Sequence, residues 1–84
     1  MNKERLYIEY GASIPKDVID HILGMPTPKL FALQQKLKRA YNKANWATIN
    51  LDGYSWDIAY RTLSRTIDLV DEVMMERRLT WTTK

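Results

Sequence analysis

The stretch SWDIAYRTLSRTIDLVDEVM, residues 55–74, decides the fold. Its apolar residues Trp56, Tyr60, Leu63, Ile67, Val70 and Met74 step by 4, 3, 4, 3 and 4. That spacing holds them on one side of an α-helix and rejects the period of two expected of a strand. Ser55 stands where an N-cap belongs. With a break near residues 77–79, the pattern predicts a helix of about 23 residues, roughly 35 Å long at 1.5 Å per residue. A seam this regular is coiled-coil-like and demands a helical partner.

The partner is upstream. Leu30, Leu33, Leu37, Ala40, Tyr41 and Ala44 recur at helical spacing, with Phe31 and Gln34 flanking the stripe. Thr27 reads as the cap, Pro28 as the first helical residue, and the helix runs to about residue 46. Asn50-Leu51-Asp52-Gly53 supplies the turn that folds the two helices against each other, and Trp46 and Trp56 flank it as packing anchors. Before this pair, Ser13 caps a short helix whose apolar face is Val18, Ile19, Ile22 and Leu23, closed by Gly24. Residues 1–12 alternate Leu6, Ile8 and Tyr10 with Tyr7 and Glu9, which suggests a short extended segment ending at Gly11. The tail from Leu79 through Trp81 has strand-like composition and no evident partner. The expected architecture is one all-α domain over residues 1–84, with a short N-terminal helix followed by two longer antiparallel helices. The first long helix is the shorter of the pair. Leu69, Val73, Met74 and Met75 are thus expected to stand uncovered at the far end of the last helix, which points to a homo-oligomer.

Charge gives the functional lead. From His21 to Leu51 there is no Asp or Glu, while Lys29, Lys36, Lys38, Arg39 and Lys43 are all present. This stretch carries +5 in a chain whose total is +3, so its flanks sum to −2. A solvated surface normally mixes both signs. Concentrating one sign favours an anionic partner, most simply one bearing phosphates. Lys29, Lys36 and Lys43 lie near one line of the helix, seven residues apart. At its start, the Thr27 hydroxyl, the free N–H groups beside Pro28 and the Lys29 ammonium are able to converge on one phosphate, or serve only as helix punctuation. Tyr10-Gly11 offers a flat ring beside flexible backbone, suited to stacking on a nucleobase or to plain core packing. Arg61, Thr62, Arg65 and Thr66 form a second cluster, preceding Asp68, Glu72 and Glu76 on the same stripe. Either two antiparallel copies of this helix satisfy each other's charges, or the cluster meets symmetry mates around a second anion.

Catalytic chemistry has little to build on. His21 is the only histidine and there is no cysteine, so neither a histidine pair for a metal nor a thiolate nucleophile exists. Asp68, Asp71, Glu72 and Glu76 could hold a divalent ion, but an acidic helix face is more simply solvated. No enzyme, no metal and no cofactor are expected. No stretch approaches the roughly 20 apolar residues of a membrane span and no apolar leader opens the chain, so a soluble intracellular protein without a membrane partner is expected.

The order of short helix, Pro/Thr junction, basic helix, the segment from Ala44 through Asp57 and long final helix resembles the phage anti-CBASS cyclic-oligonucleotide sponges of the second type. The resemblance extends over nearly the whole chain. It implies a small helical hexamer in the cytoplasm of the infected bacterial host, which sequesters cyclic nucleotide immune signals without cleaving them. By this resemblance a cyclic dinucleotide such as 3′,3′-cyclic GMP–AMP sits between two protomers. Tyr10, beside Gly11, matches the aromatic that stacks on a base, and Thr27 matches the threonine at phosphate. The family's lysine is replaced, because Met25 and Pro26 precede Thr27, so its role passes to Lys29 or Lys16. A cyclic trinucleotide would occupy a three-fold junction of long helices, where Arg61 and Arg65 are the candidates. The competing expectation is a small phage-type inhibitor that covers a host protein or a nucleic acid with its basic helix. A sponge, by contrast, needs no specific nucleic-acid partner.

Overall fold

A computed structural model describes residues 3–43, 47–51 and 54–82, with side chains left aside at 47, 49–51, 54, 56, 60 and 79–82. The described residues form four helices and one two-stranded antiparallel sheet. In chain order these are α1 (Lys3–Tyr10), α2 (Lys16–Gly24), α3 (Thr27–Asn42), β1 (Ala47–Leu51), β2 (Tyr54–Ile58) and α4 (Tyr60–Thr82). The structure is mostly helical, as expected, and differs from the expected element plan in four places.

The first difference is α1. Leu6 and Tyr10 fit a period of two, but they are also four apart and therefore share one helix face. Both are buried, whereas Ile8 is 83% exposed, which only a helix allows. Glu4 lies in the first turn, and Arg5 donates to Glu9 one turn on, at 2.6 Å. The helix stops at Gly11, whose N–H still reaches the Tyr7 carbonyl at 2.9 Å.

The second difference concerns the caps. Pro15 and Pro26 take the cap positions of α2 and α3, and neither helix has a side-chain cap hydrogen bond. Ser13 belongs instead to the turn after α1, where its N–H meets the Tyr10 carbonyl at 3.0 Å. Thr27 is the first residue of α3 and not its cap. Gly24 closes α2 as expected, while α3 ends at Asn42, short of residue 46.

The third difference is the hairpin. The predicted start of the last helix is β2, paired with β1 so that Ala47 faces Ile58, Thr48 faces Asp57 and Leu51 faces Tyr54. Thr48, Ile49, Tyr54, Trp56 and Ile58 are β-branched or aromatic, and Asp52-Gly53 between the two runs is a strong hairpin signal. Pairing with a neighbouring strand therefore outweighs the helical period at Trp56. Ile58 is fully inside the core, and Thr48 Oγ1 donates to Asp57 Oδ1 across the exposed face at 2.8 Å. Asp52, Gly53 and Trp46 lie outside the described residues, as do the side chains of Trp56 and Trp81.

The fourth difference is α4. It has the expected 23 residues but is displaced along the chain, starting at Tyr60 and running through the predicted break and into the tail. It lies antiparallel to α3: Thr27 meets Arg77, Gln34 meets Asp71, and Tyr41 shares a surface with Ser64 and Ile67. Leu63, Leu69, Val70 and Val73 are buried with Leu30, Leu33 and Leu37 of α3 and Val18, Ile19 and Ile22 of α2 in one apolar cluster. Leu69 and Val73, expected to stand uncovered, are thus inside. Met74 is half-buried and Met75 is exposed. α1 meets α4 at Arg65 and Glu72 through Arg5, Glu9 and Tyr10. Of the end of the last helix expected to stand uncovered, Met75 and part of Met74 remain open.

Candidate functional site

α3 presents its charge outward. Leu30, Leu33 and Leu37 turn into the core, which leaves Lys29, Lys36, Lys38, Arg39 and Lys43 on the exposed side. Lys38 has a carboxylate neighbour on α4, Asp71 at 3.7 Å. Arg39, in the last turn, also lies favourably for the helix dipole. The acid-free run of sequence is therefore an exposed helix face that carries no acid of its own, bordered by Asp68 and Asp71 of α4.

The residues expected at a cyclic dinucleotide are not gathered within one chain. Tyr10 is 3% exposed. Its hydroxyl donates to Glu72 Oε2 at 2.8 Å, and the Arg65 guanidinium covers its ring at 4.6 Å. Burial, reinforced by the hydrogen bond to Glu72, pushes the phenol well above its ordinary range. The ring is buried under Arg65 and the polar tip is bonded to Glu72, so the core-packing alternative describes Tyr10 in this chain. Gly11 is exposed, and a Cβ there would stand 2.2 Å from the Tyr7 carbonyl oxygen. Lys16 places its ammonium 4.8 Å from the Tyr7 ring centre. Tyr7 in turn donates to Asp20, a bond that raises its phenol above the usual value. Thr27 Oγ1 accepts from Arg77 at 3.2 Å, while Pro28 and Lys29 are exposed. Tyr10 thus faces the Arg65–Glu72 side of α4, and Thr27 faces Arg77.

The second cluster is similarly divided. Arg61 is exposed and Thr62 half-buried, but Thr66 is fully buried with its hydroxyl donating to the Thr62 carbonyl at 2.9 Å. That is a Thr bonding back within its own helix, which leaves it no reach to a ligand. Arg65 donates to the Glu9 carbonyl at 3.0 Å and has Asp68 at 3.9 Å. Glu72 accepts from both Tyr10 and Arg5. Burial raises the Glu72 carboxyl, but those two donors outweigh it and hold it below the usual carboxylate range. The Arg5 guanidinium is raised further by the same bond. Arg65 and Glu72 of that charge stripe are therefore engaged by α1 of the same chain.

One surface was missed. Thr27, Phe31, Gln34 and Lys38 step along one face of α3 and meet Asp71, Met74, Met75, Arg77 and Arg78 of α4 around a groove of about 550 Å³. Phe31 is 53% exposed and Met75 64% exposed. Asp71 is engaged by Gln34 and Lys38. Arg77 holds two neutral acceptors, Thr27 Oγ1 and the Leu23 carbonyl, each at 3.2 Å. The available signal was Phe31 lying beside the apolar stripe and not within it, opposite the two adjacent methionines of α4.

Asp17, Asp20 and His21 share a shallow surface depression, but no group of three or more His, Cys, Asp or Glu among the described residues could hold a metal ion. No described helix is long and apolar enough to cross a membrane. Comparisons with protein-family models, curated proteins and solved structures return no match for this chain.

Proposed function

We propose that this protein is a non-catalytic sponge for cyclic dinucleotides, with cyclic trinucleotides as a second class of ligand, serving phage counter-defence in the cytoplasm of an infected bacterium. The carrying observation is the exposed cationic face of α3, where Lys29, Lys36, Arg39 and Lys43 stand with no acid on the same helix. A cyclic dinucleotide carries two phosphodiester charges and two flat bases, so it requires cations and apolar planes together. A sponge holds its ligand without reacting, and therefore needs no nucleophile, general base or metal. The chain's single histidine and absent cysteine agree with that economy. The resemblance to the anti-CBASS sponges supports a homo-oligomer, six chains in that family, with ligand enclosed between protomers.

The test is calorimetric titration with 3′,3′-cyclic GMP–AMP and with a cyclic trinucleotide, followed by denaturation and chromatography of the released ligand. Saturable binding with intact ligand recovered is expected. Cleaved product would make the protein a phosphodiesterase, and absence of heat with every cyclic nucleotide would remove the reading. A host-protein or nucleic-acid inhibitor acting through the same helix gives different outcomes. It would retain a stoichiometric partner from host lysate, or lose affinity steeply with salt as more phosphates are neutralised.

A further inference from the structure

We infer that the groove between α3 and α4 is where a nucleobase of the anionic ligand binds, with Phe31 as the stacking surface and Arg77 and Arg78 as the phosphate-side cations. The assignment rests on the sponge reading above and deepens it, because it moves the aromatic contact from Tyr10 to Phe31. Tyr10 cannot stack on a ligand while Arg65 covers its ring and its hydroxyl is bonded to Glu72. Phe31 is the only phenylalanine, and it stands more than half exposed at a position where a polar residue would cost the core nothing.

The groove combines two chemistries. Its apolar part is Phe31 with Met74 and Met75, flat and polarisable surfaces suited to the face of a base. Its charged part is Lys38, Arg77 and Arg78 against one carboxylate, Asp71. Among the described residues Arg77 is held by two neutral oxygens, which orient it without cancelling its charge. A guanidinium in that condition is suited to phosphate oxygens, which it meets with parallel N–H donors. A purely apolar occupant would leave these cations facing it, and a base-free polyanion would leave Phe31 and Met75 unused. A volume of about 550 Å³ suits one base with its phosphate, and falls within the range of roughly 300–1,000 Å³ usual for small-ligand sites. The groove's charge and size together suit a base-bearing phosphate ligand.

The experiment is titration of the full chain with 3′,3′-cyclic GMP–AMP, comparing the parent with Phe31→Ala, Phe31→Tyr and Tyr10→Phe. Phe31→Ala should weaken binding about tenfold or more, because base–aromatic stacking is lost. Phe31→Tyr should restore affinity, and Tyr10→Phe should leave it unchanged. Methyl signals of Met74 and Met75 should shift on saturation by ring current, while buried Met25 stays still. Parent-like binding by Phe31→Ala, or weakened binding by Tyr10→Phe, overturns the groove assignment and leaves the sponge reading standing. A change in assembly mass with unchanged affinity in Phe31→Ala also overturns it, making the groove a subunit contact. A parent protein that binds no cyclic nucleotide overturns both.

Discussion

Tyr10 illustrates how one residue type serves two roles that sequence cannot separate. Its ring and hydroxyl would suit a ligand, but the fold uses both, one under Arg65 and the other on Glu72. Removing only the hydroxyl should therefore register as lost stability. Tyr10→Phe is expected to cost about 1 kcal/mol, the net worth of one intramolecular hydrogen bond. That corresponds to a melting temperature lower by roughly 4–8 °C for a domain of this size. An unchanged melting curve would show that the Glu72 bond contributes nothing. Gly11 is fixed by space. A Cβ at 2.2 Å from the Tyr7 carbonyl oxygen forces backbone to move, so Gly11→Ala should destabilise by about 1–3 kcal/mol, as overpacking does. Thermal melting of that variant, equal to or above the parent, would contradict the close approach.

Between elements, polar groups hold what apolar area leaves loose. α1 meets α4 through Arg5, Tyr10 and Glu72, with Arg65 returning a bond to the Glu9 carbonyl. Because Glu72 is held below its ordinary range in the folded chain, its contribution is complete above the unfolded carboxylate value of about 4.3 and lost as pH falls through the lower folded value. Melting followed from neutral pH to about pH 3 should show Glu72→Gln less sensitive to acid than the parent, the two curves converging at the acid end. Parallel curves would mean that Glu72 titrates alike in both states. At the other end of α4, Arg77 ties the end of α2 to the start of α3. Arg77→Met keeps the stem and removes both bonds, with an expected loss of about 1–2 kcal/mol measured by denaturant unfolding.

Elements are also where the sequence was most and least readable. α2 and α3 carry an apolar period from which their inward faces follow, although α3 ends at Asn42 and not near residue 46. The antiparallel pairing of α3 with α4 follows from the same seam. The hairpin did not, since Trp56 continues a helical step by coincidence and the Asp-Gly signal competes with it. α1 was ambiguous because Leu6 and Tyr10 satisfy periods of two and of four alike, and only the exposure of Ile8 separates them. Of the candidate site, the cationic face of α3 was legible from charge alone. The buried state of Thr66 and Tyr10 was not, because it depends on how α1 lies against α4. The Phe31 groove needs two helices in register, which no single stretch encodes.

For the whole molecule, α4 sets the length: the chain extends 39 Å along its principal axis and 24 and 23 Å across it. The sponge reading requires copies to enclose ligand, so light scattering should give an assembly built from the 9.9 kDa chain, with six copies expected from the resemblance. A monomer at all concentrations, with or without cyclic nucleotide, would exclude enclosure between protomers. The thin attachment of α1 has its own consequence. This eight-residue helix buries only Leu6 and Tyr10 in the core, with Tyr7 packed at its edge, and its other ties are polar and largely open to water. It is therefore expected to detach before the α2–α3–α4 core unfolds, a subglobal opening at lower cost. Backbone amides of α1 should exchange with deuterium sooner than those of Val70 or Leu37, and a protease should nick the exposed turn at residues 11–13 before any other described site.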